Sequence, residues 1–360
     1  MTVALALAAV PAAAQSYERF GLDTTASIDF FGGDNVSSRP QIIVDLIGTV
    51  WIGNGWQAYF RPWFRLARPT VTNGVEAPVP AWDKQIYQAS LRYEHSGPVS
   101  TRVDLGYMPS PIGLGVFDAN PRQNPTIAGH SSYFTPMLPF DTGAGRFPAI
   151  TATYPLAGMV TVSTNHWDAR AAVVNSSPVR FFVVPNTPNP RQTPVFEAGA
   201  GVTPVIGLRL GAVFAHGNYL TAAEIAPSLP QGDRAMTLAG VEGEYAIRYT
   251  KVSGEVLHDT FDTPTGAAGA TEWFVQATQT ITPRWAIAAR HEGTSSPIAG
   301  LGATPAFIAQ PDMLANEVTA VFRINRDVML KSSIYARQPY GRQAWDQQIA
   351  VQAVFQKRWF

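Results

Sequence analysis

The sequence predicts an all-β chain, a transmembrane antiparallel β-barrel of about sixteen strands with short turns at one rim and long loops at the other. Three observations carry this expectation. Polar and apolar residues alternate with a period of two over most of the chain after Gln15. Connections alternate strictly between short turns and long polar loops. No stretch reaches the ~18 to 20 uninterrupted apolar residues that a helix needs to cross a bilayer.

Composition narrows the function. Only 14% of the 360 residues are charged, low for an ordinary soluble domain. Lys plus Arg equals Asp plus Glu at 26 each, so no net field recruits nucleic acid. Any electrostatic role must come from where charges sit. With no cysteine, disulfides cannot staple the fold, and backbone hydrogen bonds and packing must hold it.

The opening Met-Thr-Val-Ala-Leu-Ala-Leu-Ala-Ala-Val-Pro-Ala-Ala-Ala is a short apolar run ending in small residues, as a secretory cleavage site requires. It predicts a signal peptide over residues 1–14, although the usual basic n-region is missing; a buried core helix is the alternative. Residues 15–360 are then expected to form a single barrel domain, with no linker or charge run to divide them.

The alternation assigns faces. Gln57, Tyr59, Arg61, Trp63 and Arg65 point one way, against Ala58, Phe60, Pro62, Phe64 and Leu66. Gln88, Ser90, Arg92 and Glu94 oppose Tyr87, Ala89, Leu91 and Tyr93, and Asp23, Thr25, Ser27 and Asp29 oppose Thr24, Ala26, Ile28 and Phe30. A soluble sandwich shows the same pattern, so the Gly- and Ala-rich strands and the two unequal rims decide for a barrel.

Short turns are predicted at Gly53-Asn54-Gly55, Ser96-Gly97-Pro98, Pro155-Leu156-Ala157-Gly158, Thr203 to Gly207, Ile247-Arg248, Thr282-Pro283-Arg284 and Asn325-Arg326-Asp327. Long loops are predicted over 32–40, 68–83, 110–146, 177–193, 218–232, 259–269, 296–312 and 339–345. Eight loops and seven turns make about sixteen strands, and an even number leaves both chain ends on one side. Residues 158–176 resemble two short strands broken at Asn165-His166-Trp167-Asp168, and a β-bulge inside one long strand explains the phase change and the parity; fourteen or eighteen strands are the alternatives. Trp51, Trp56, Tyr93, Tyr154, Trp285 and Trp359 flank the short turns, where an interfacial aromatic belt would sit.

These strand spacings, the long loop opening Tyr107-Met108-Pro109-Ser110-Pro111-Ile112-Gly113-Leu114-Gly115, and the terminal Phe360 resemble the sixteen-stranded outer-membrane porins of Gram-negative bacteria, the phosphate-selective group included. The resemblance implies an outer-membrane pore for small polar solutes or ions, with periplasmic turns, extracellular loops and one loop folded into the lumen. It implies a homotrimer among outer-membrane lipids and lipopolysaccharide, and a C-terminal aromatic read by the barrel-assembly machinery. The last strand departs from the pattern, because Lys357 interrupts the outward set Val351, Ala353 and Phe355, and Phe360 falls out of phase with Trp359.

The inward loop is expected at 110–146, with Asp118, Arg122, Tyr133, Asp141 and Arg146 as constriction residues; an outer lid or trimer-contact loop is the alternative. Across from it, Arg61, Arg65, Arg92 and Arg102 form a lumen basic cluster on neighbouring strands, with Glu94 and Asp104 on the same face. On a lipid face each arginine costs ~2 to 4 kcal/mol at the midplane, so the lumen is the cheaper place. The group reads as an anion-attracting ladder or as a salt-bridge lattice. The remaining lumen charges are mixed: Asp45, Glu197, Arg209, Glu242, Glu244, Lys251, Glu255, Arg290, Glu292, Glu317, Arg323, Lys331 and Arg337. Tyr59, Trp63, Tyr133, Phe134 and Phe140 read as loop packing or as a stacking track for sugar rings.

No cofactor or metal is expected, since the six histidines lack metal-ligand spacing. Neither a G-x-S-x-G elbow nor a phosphate-cradling glycine loop is present. A barrel lipase or protease is the second reading, with His258, Asp259 and Asp262 as the residues to test, and Gly129-His130-Ser131-Ser132 as a weaker motif. A bare structural anchor is the third.

Overall fold

A computed structural model describes residues 19–69, 71–72, 75–76, 82–109, 111–114, 120–130, 156–175, 194–220, 222, 231–263, 266–295, 298–299, 307–308, 312–339 and 342–359. Sixteen strands close into one antiparallel barrel. They are β1 (Phe20–Gly33), β2 (Gln41–Gly53), β3 (Trp56–Leu66), β4 (Asp83–His95), β5 (Ser100–Tyr107), β6 (Leu156–Ser163), β7 (Trp167–Val174) and β8 (Val195–Val205). The second half is β9 (Leu208–Leu220), β10 (Arg234–Ile247), β11 (Thr250–Thr263), β12 (Gly266–Thr280), β13 (Trp285–Ser295), β14 (Met313–Arg323), β15 (Val328–Gln338) and β16 (Asp346–Arg358). The ladder from Asp23↔Arg358 to Gly33↔Gln348 joins β1 to β16, so the barrel itself has no open edge.

The two faces of each strand meet opposite environments. Outward side chains are large and apolar: Phe60, Val318 and Ile334 are 51%, 55% and 67% exposed. Inward ones are polar and buried, among them Asp45, Glu197, Glu317 and Thr319. A soluble sandwich would invert this arrangement; hydrocarbon outside and water within explain it. Apolar side chains gather inside where chain packs on the wall. Ile112 lies with Val213, Leu238, Leu257 and Phe261, and Ile127 lies with Phe31, Ala315 and Tyr335.

Turn chemistry closes the short rim. Asn54 (φ 51°) and Gly55 (φ 84°) are both left-handed, as a two-residue hairpin turn requires. A Cβ on Gly55 would stand 2.4 Å from the Glu94 carbonyl oxygen, so only glycine fits there. The turns after Ser96, Ile247, Thr282 and Asn325 fall where expected.

Four details of the expected layout are corrected. Leu156, Ala157 and Gly158 form no turn but open β6 (Pro155 lies outside the described residues). Instead the turn is at 164–166, where Thr164 Oγ1 accepts the His166 and Trp167 amides at 3.1 Å each, so 158–176 is a hairpin and not a bulged strand. Sixteen strands result all the same. The supposed loop 259–269 is mostly ladder, with β11 reaching Thr263 and β12 starting at Gly266. Tyr87 was expected outside; it is buried inside, stacked on Trp63 at 4.6 Å. Its reversal has a cause: Pro62 has no N–H to give the ladder, and the register jumps from Arg61↔Gln88 to Pro62↔Ile86, leaving Tyr87 as the extra residue of a bulge.

The aromatic belt is partly as expected. Trp56 packs on Tyr93 at 5.2 Å and Trp285 on Phe322 at 4.6 Å, all on the outer face near the short rim. Trp359 also lies there, donating its indole N–H to Thr24 Oγ1 at 2.9 Å. Trp51 differs: it pairs with Gln57 and so shares the inward phase. Tyr154 and Phe360 lie outside the described residues.

Candidate functional site: the lumen wall and its inserted loop

The basic cluster lies on adjacent strands, and its members face inward. Arg61 makes a two-pronged contact with Asp45, Nε to Oδ1 at 2.8 Å and Nη2 to Oδ2 at 2.6 Å. Its guanidinium also lies 5.6 Å from the Tyr87 ring centre, and that of Arg65 lies 5.0 Å from the Trp63 ring. Arg92 donates to Asp104 Oδ1 at 2.7 Å and covers the Tyr59 ring at 4.5 Å. Arg102 reaches the other oxygen of the same carboxylate at 2.8 Å, while Glu94 stands 3.6 Å from Arg92. Asp104 therefore lies between two arginines on one face, as successive inward positions of a ladder allow.

A second charged group lies on β7, β9 and β10. Arg209 is bidentate to Asp168 at 2.7 and 2.8 Å and also donates to Glu242 Oε1 at 2.7 Å; Arg170 meets that same oxygen at 3.0 Å. Two glycines of β8 make room for it. A Cβ on Gly201 would stand 2.7 Å from an Arg209 nitrogen, and one on Gly199 would stand 2.8 Å from Arg170 Nε. Asp168 and Arg170 are absent from the lumen charges expected from sequence, because a bulge at 165–168 leaves the phase of the residues beside it undefined.

The described parts of the 110–146 connection lie against this inner wall. Leu114 N donates to Glu255 Oε2 at 2.5 Å, and Asn120 Nδ2 donates to Asp45 Oδ2 at 2.9 Å, so Asp45 holds Arg61 and the loop together. Glu317 Oε1 accepts the amides of Ile127 and Ala128 at 2.9 and 3.2 Å. Arg290 donates to the carbonyls of Ala128 and Gly129 at 2.8 and 3.1 Å, and to Glu317 Oε2 at 3.2 Å. Lys331 donates to the carbonyls of Pro121, Asn124 and Thr126 at 2.6, 2.6 and 3.0 Å. His130 packs on Phe274 at 4.2 Å, with Nδ1 3.4 Å from Glu292.

Wall charges thus meet backbone groups of a segment that has no ladder of its own. A buried carbonyl or amide without a partner costs roughly 1–3 kcal/mol, so each such bond decides where the segment can rest. The segment is compact by itself as well: Asn124 Oδ1 accepts both the amide and the hydroxyl of Thr126, at 3.0 and 2.8 Å.

Of the five constriction residues expected, only Arg122 is described; Asp118, Tyr133, Asp141 and Arg146 lie outside the described residues, as do Phe134 and Phe140. Arg122 stands at the short-turn mouth beside Arg326, Asp327 and Lys357. Burial first and Arg323 second hold its guanidinium below the ordinary arginine range, against Asp23 and Asp327.

The enzyme candidates do not converge. His258 faces outward and bonds Thr271 Oγ1 at 2.8 Å, whereas Asp259 is buried on the inner face, so the sheet separates them. His130 is packed against the wall, and Ser131 and Ser132 lie outside the described residues. Among the described residues no group of His, Asp and Glu has the arrangement to hold a metal ion.

A closed sixteen-stranded barrel with oily exterior and charged interior defines the class: the fold is that of the outer-membrane porins. The chain is similar in structure to the outer membrane channel DcaP of Acinetobacter baumannii, with TM-score 0.55 and 9% identity over 94% of this chain and 96% of that one. It is similar to an anion-selective porin from Comamonas acidovorans, with TM-score 0.53 and 9% identity over 94% and 98%. It is also similar to the trimer form of OmpT, an outer membrane protein of Vibrio cholerae, with TM-score 0.54 and 10% identity over 94% and 99%. At such identities the likeness is one of fold. No protein-family model matches the sequence, and no curated protein matches it.

Proposed function

We propose that the chain is an outer-membrane porin: a water-filled channel through which small hydrophilic solutes diffuse passively, narrowed by the 110–146 loop. The observation that carries this is the set of bonds from the described part of that loop to inward side chains of β2, β11, β13, β14 and β15. A segment lying against these strands from within reduces the free cross-section, and its charged seats give it a fixed position. The names of DcaP, a channel, and of the Comamonas porin agree with this reading.

In this reading residues 1–14 direct export and residues 15–360 form the one mature domain. The short turns face the periplasm and the long loops the exterior, among outer-membrane lipids and lipopolysaccharide. The barrel-assembly machinery inserts it, and three copies associate, as the trimer form of OmpT suggests. A solute-specific anion channel is the second reading, favoured by Arg61, Arg65, Arg92 and Arg102 on one wall. The carboxylates Asp45 and Asp104 beside them favour weak selectivity. A barrel enzyme is disfavoured by the opposite faces of His258 and Asp259.

Reconstitution in planar bilayers tests the proposal: stepwise conductance is expected, and silent bilayers with folded, heat-modifiable protein would remove it. Deletion within 115–140 is expected to enlarge single-channel conductance. An unchanged value would place the loop outside the conduction path.

A further inference from the structure

Where the end of β16 meets the β14–β15 turn, a niche of about 440 Å³ opens at the short-turn mouth. Four cations line it, Arg122, Arg326, Lys357 and Arg358, against one carboxylate, Asp327, with Trp359 as an apolar side. Arg326 meets Asp327 at 3.4 Å, though the arginine is 87% exposed. Arg122, Lys357 and Arg358 make no ion pair among the described residues. Asp23, opposite Arg358 in the ladder, and Asp327 offset the charge on Arg122 only in part, because Arg323 adds a fifth cation nearby.

Such a cluster attracts a counter-charge. Like charges repel, and Arg122 is drawn partly out of water, which pulls its guanidinium below its ordinary range. It differs from the arginines of β3–β5, most of which have carboxylates at hydrogen-bond distance. It also joins two parts of the chain, since Arg122 belongs to the inserted loop and the others to the last strand and its turn.

We propose that this niche is an anion site that takes a phosphate group, held between Arg122 on one side and Arg326, Lys357 and Arg358 on the other. Guanidinium forks match phosphate oxygens two by two, and an excess of three positive charges over the lone lining carboxylate suits a dianion better than a single carboxylate. The phosphate comes either from a soluble anion entering the mouth or from a lipid headgroup at the rim, where Lys357 and Trp359 share the outward phase. Binding here does not depend on conduction, so it can fail while the pore reading stands, and the reverse.

The test is equilibrium binding to the full folded protein in non-ionic detergent, with inorganic phosphate titrated against chloride at constant ionic strength and followed by phosphorus NMR. In parallel, retention of phosphatidylglycerol against phosphatidylcholine is read by native mass spectrometry. Saturable phosphate binding, weakened about tenfold or more in Arg122→Gln and in Arg358→Gln but unchanged in Arg342→Gln at the other rim, is expected for a soluble source. Selective phosphatidylglycerol retention, lost in Lys357→Gln and Arg326→Gln, assigns the site to a headgroup. Binding of neither ligand, or equal binding by every variant, overturns the proposal.

Discussion

Lys331 donates to the Pro121 carbonyl at 2.6 Å across 210 residues of sequence, and this contact fixes how the inserted segment lies on β15. The same ammonium serves Asn124 and Thr126. Lys331→Met keeps length and removes all three donations. The expected result is a folded barrel destabilised by roughly 2–4 kcal/mol, with faster tryptic cleavage after Arg122 and noisier, larger current steps. Unaltered cleavage and current would show that the lysine does not seat the loop.

Charge selectivity should respond in opposite directions to two changes in one wall. Arg61→Ala with Arg65→Ala leaves Asp45 without its two-pronged partner and is expected to move the reversal potential toward cations. Asp104→Asn frees Arg92 and Arg102 together and is expected to move it toward anions. If both variants match the parent protein, the wall charges are neutralised within the lattice and exert no field on permeating ions.

The outer face should reject an added charge and tolerate the removal of a polar group. On β15, Ile334→Arg sets a charge on the hydrocarbon face and is expected to cost about 2–4 kcal/mol, read as a lower denaturant midpoint in lipid. Asn316→Ala, on the outer face of the neighbouring strand, removes a polar group from that face and should leave the midpoint unchanged or higher. The reverse ranking would place that outer face in water rather than in hydrocarbon.

The bulge makes a sharper test, because removing one residue normally inverts a strand. Deleting Tyr87 leaves Arg61↔Gln88 and Pro62↔Ile86 in place, so both halves of β4 keep their faces. The variant is expected to fold, with a loss of roughly 3–5 kcal/mol for the missing ring on Trp63. Deleting Ala89 instead turns part of β4 over, and no heat-modifiable barrel is expected. Equal outcomes for the two deletions would argue against the bulge.

The faces of the strands were legible because alternation is a local property, as in Gln57 to Arg65. The exceptions arise where one residue breaks the ladder. Pro62 was visible as such a residue, but its effect falls on Tyr87, in the adjacent strand. The 164–166 turn also had a signal, a threonine whose hydroxyl can accept two following amides, and it was outweighed by the apolar runs on either side. The strand count survived because an expected turn at 155–158 and the missed one at 164–166 compensate. Least legible was the seating of the loop. Lys331, Glu317 and Arg290 bind backbone groups of residues 121–129, and backbone carries no pattern that a distant side chain could be matched to.

Glu242 stands directly across from Glu255, two carboxylates on neighbouring inward positions. Arginines 170 and 209 neutralise the first, while the second receives the amide of Leu114. Before the segment arrives, Glu255, Glu317 and Lys331 lack those contacts, and a cylinder closed at that stage would enclose charges short of the backbone partners that the segment brings. Closing the cylinder and docking its insert are therefore expected to be one cooperative event, melting in a single transition with no stable hollow intermediate.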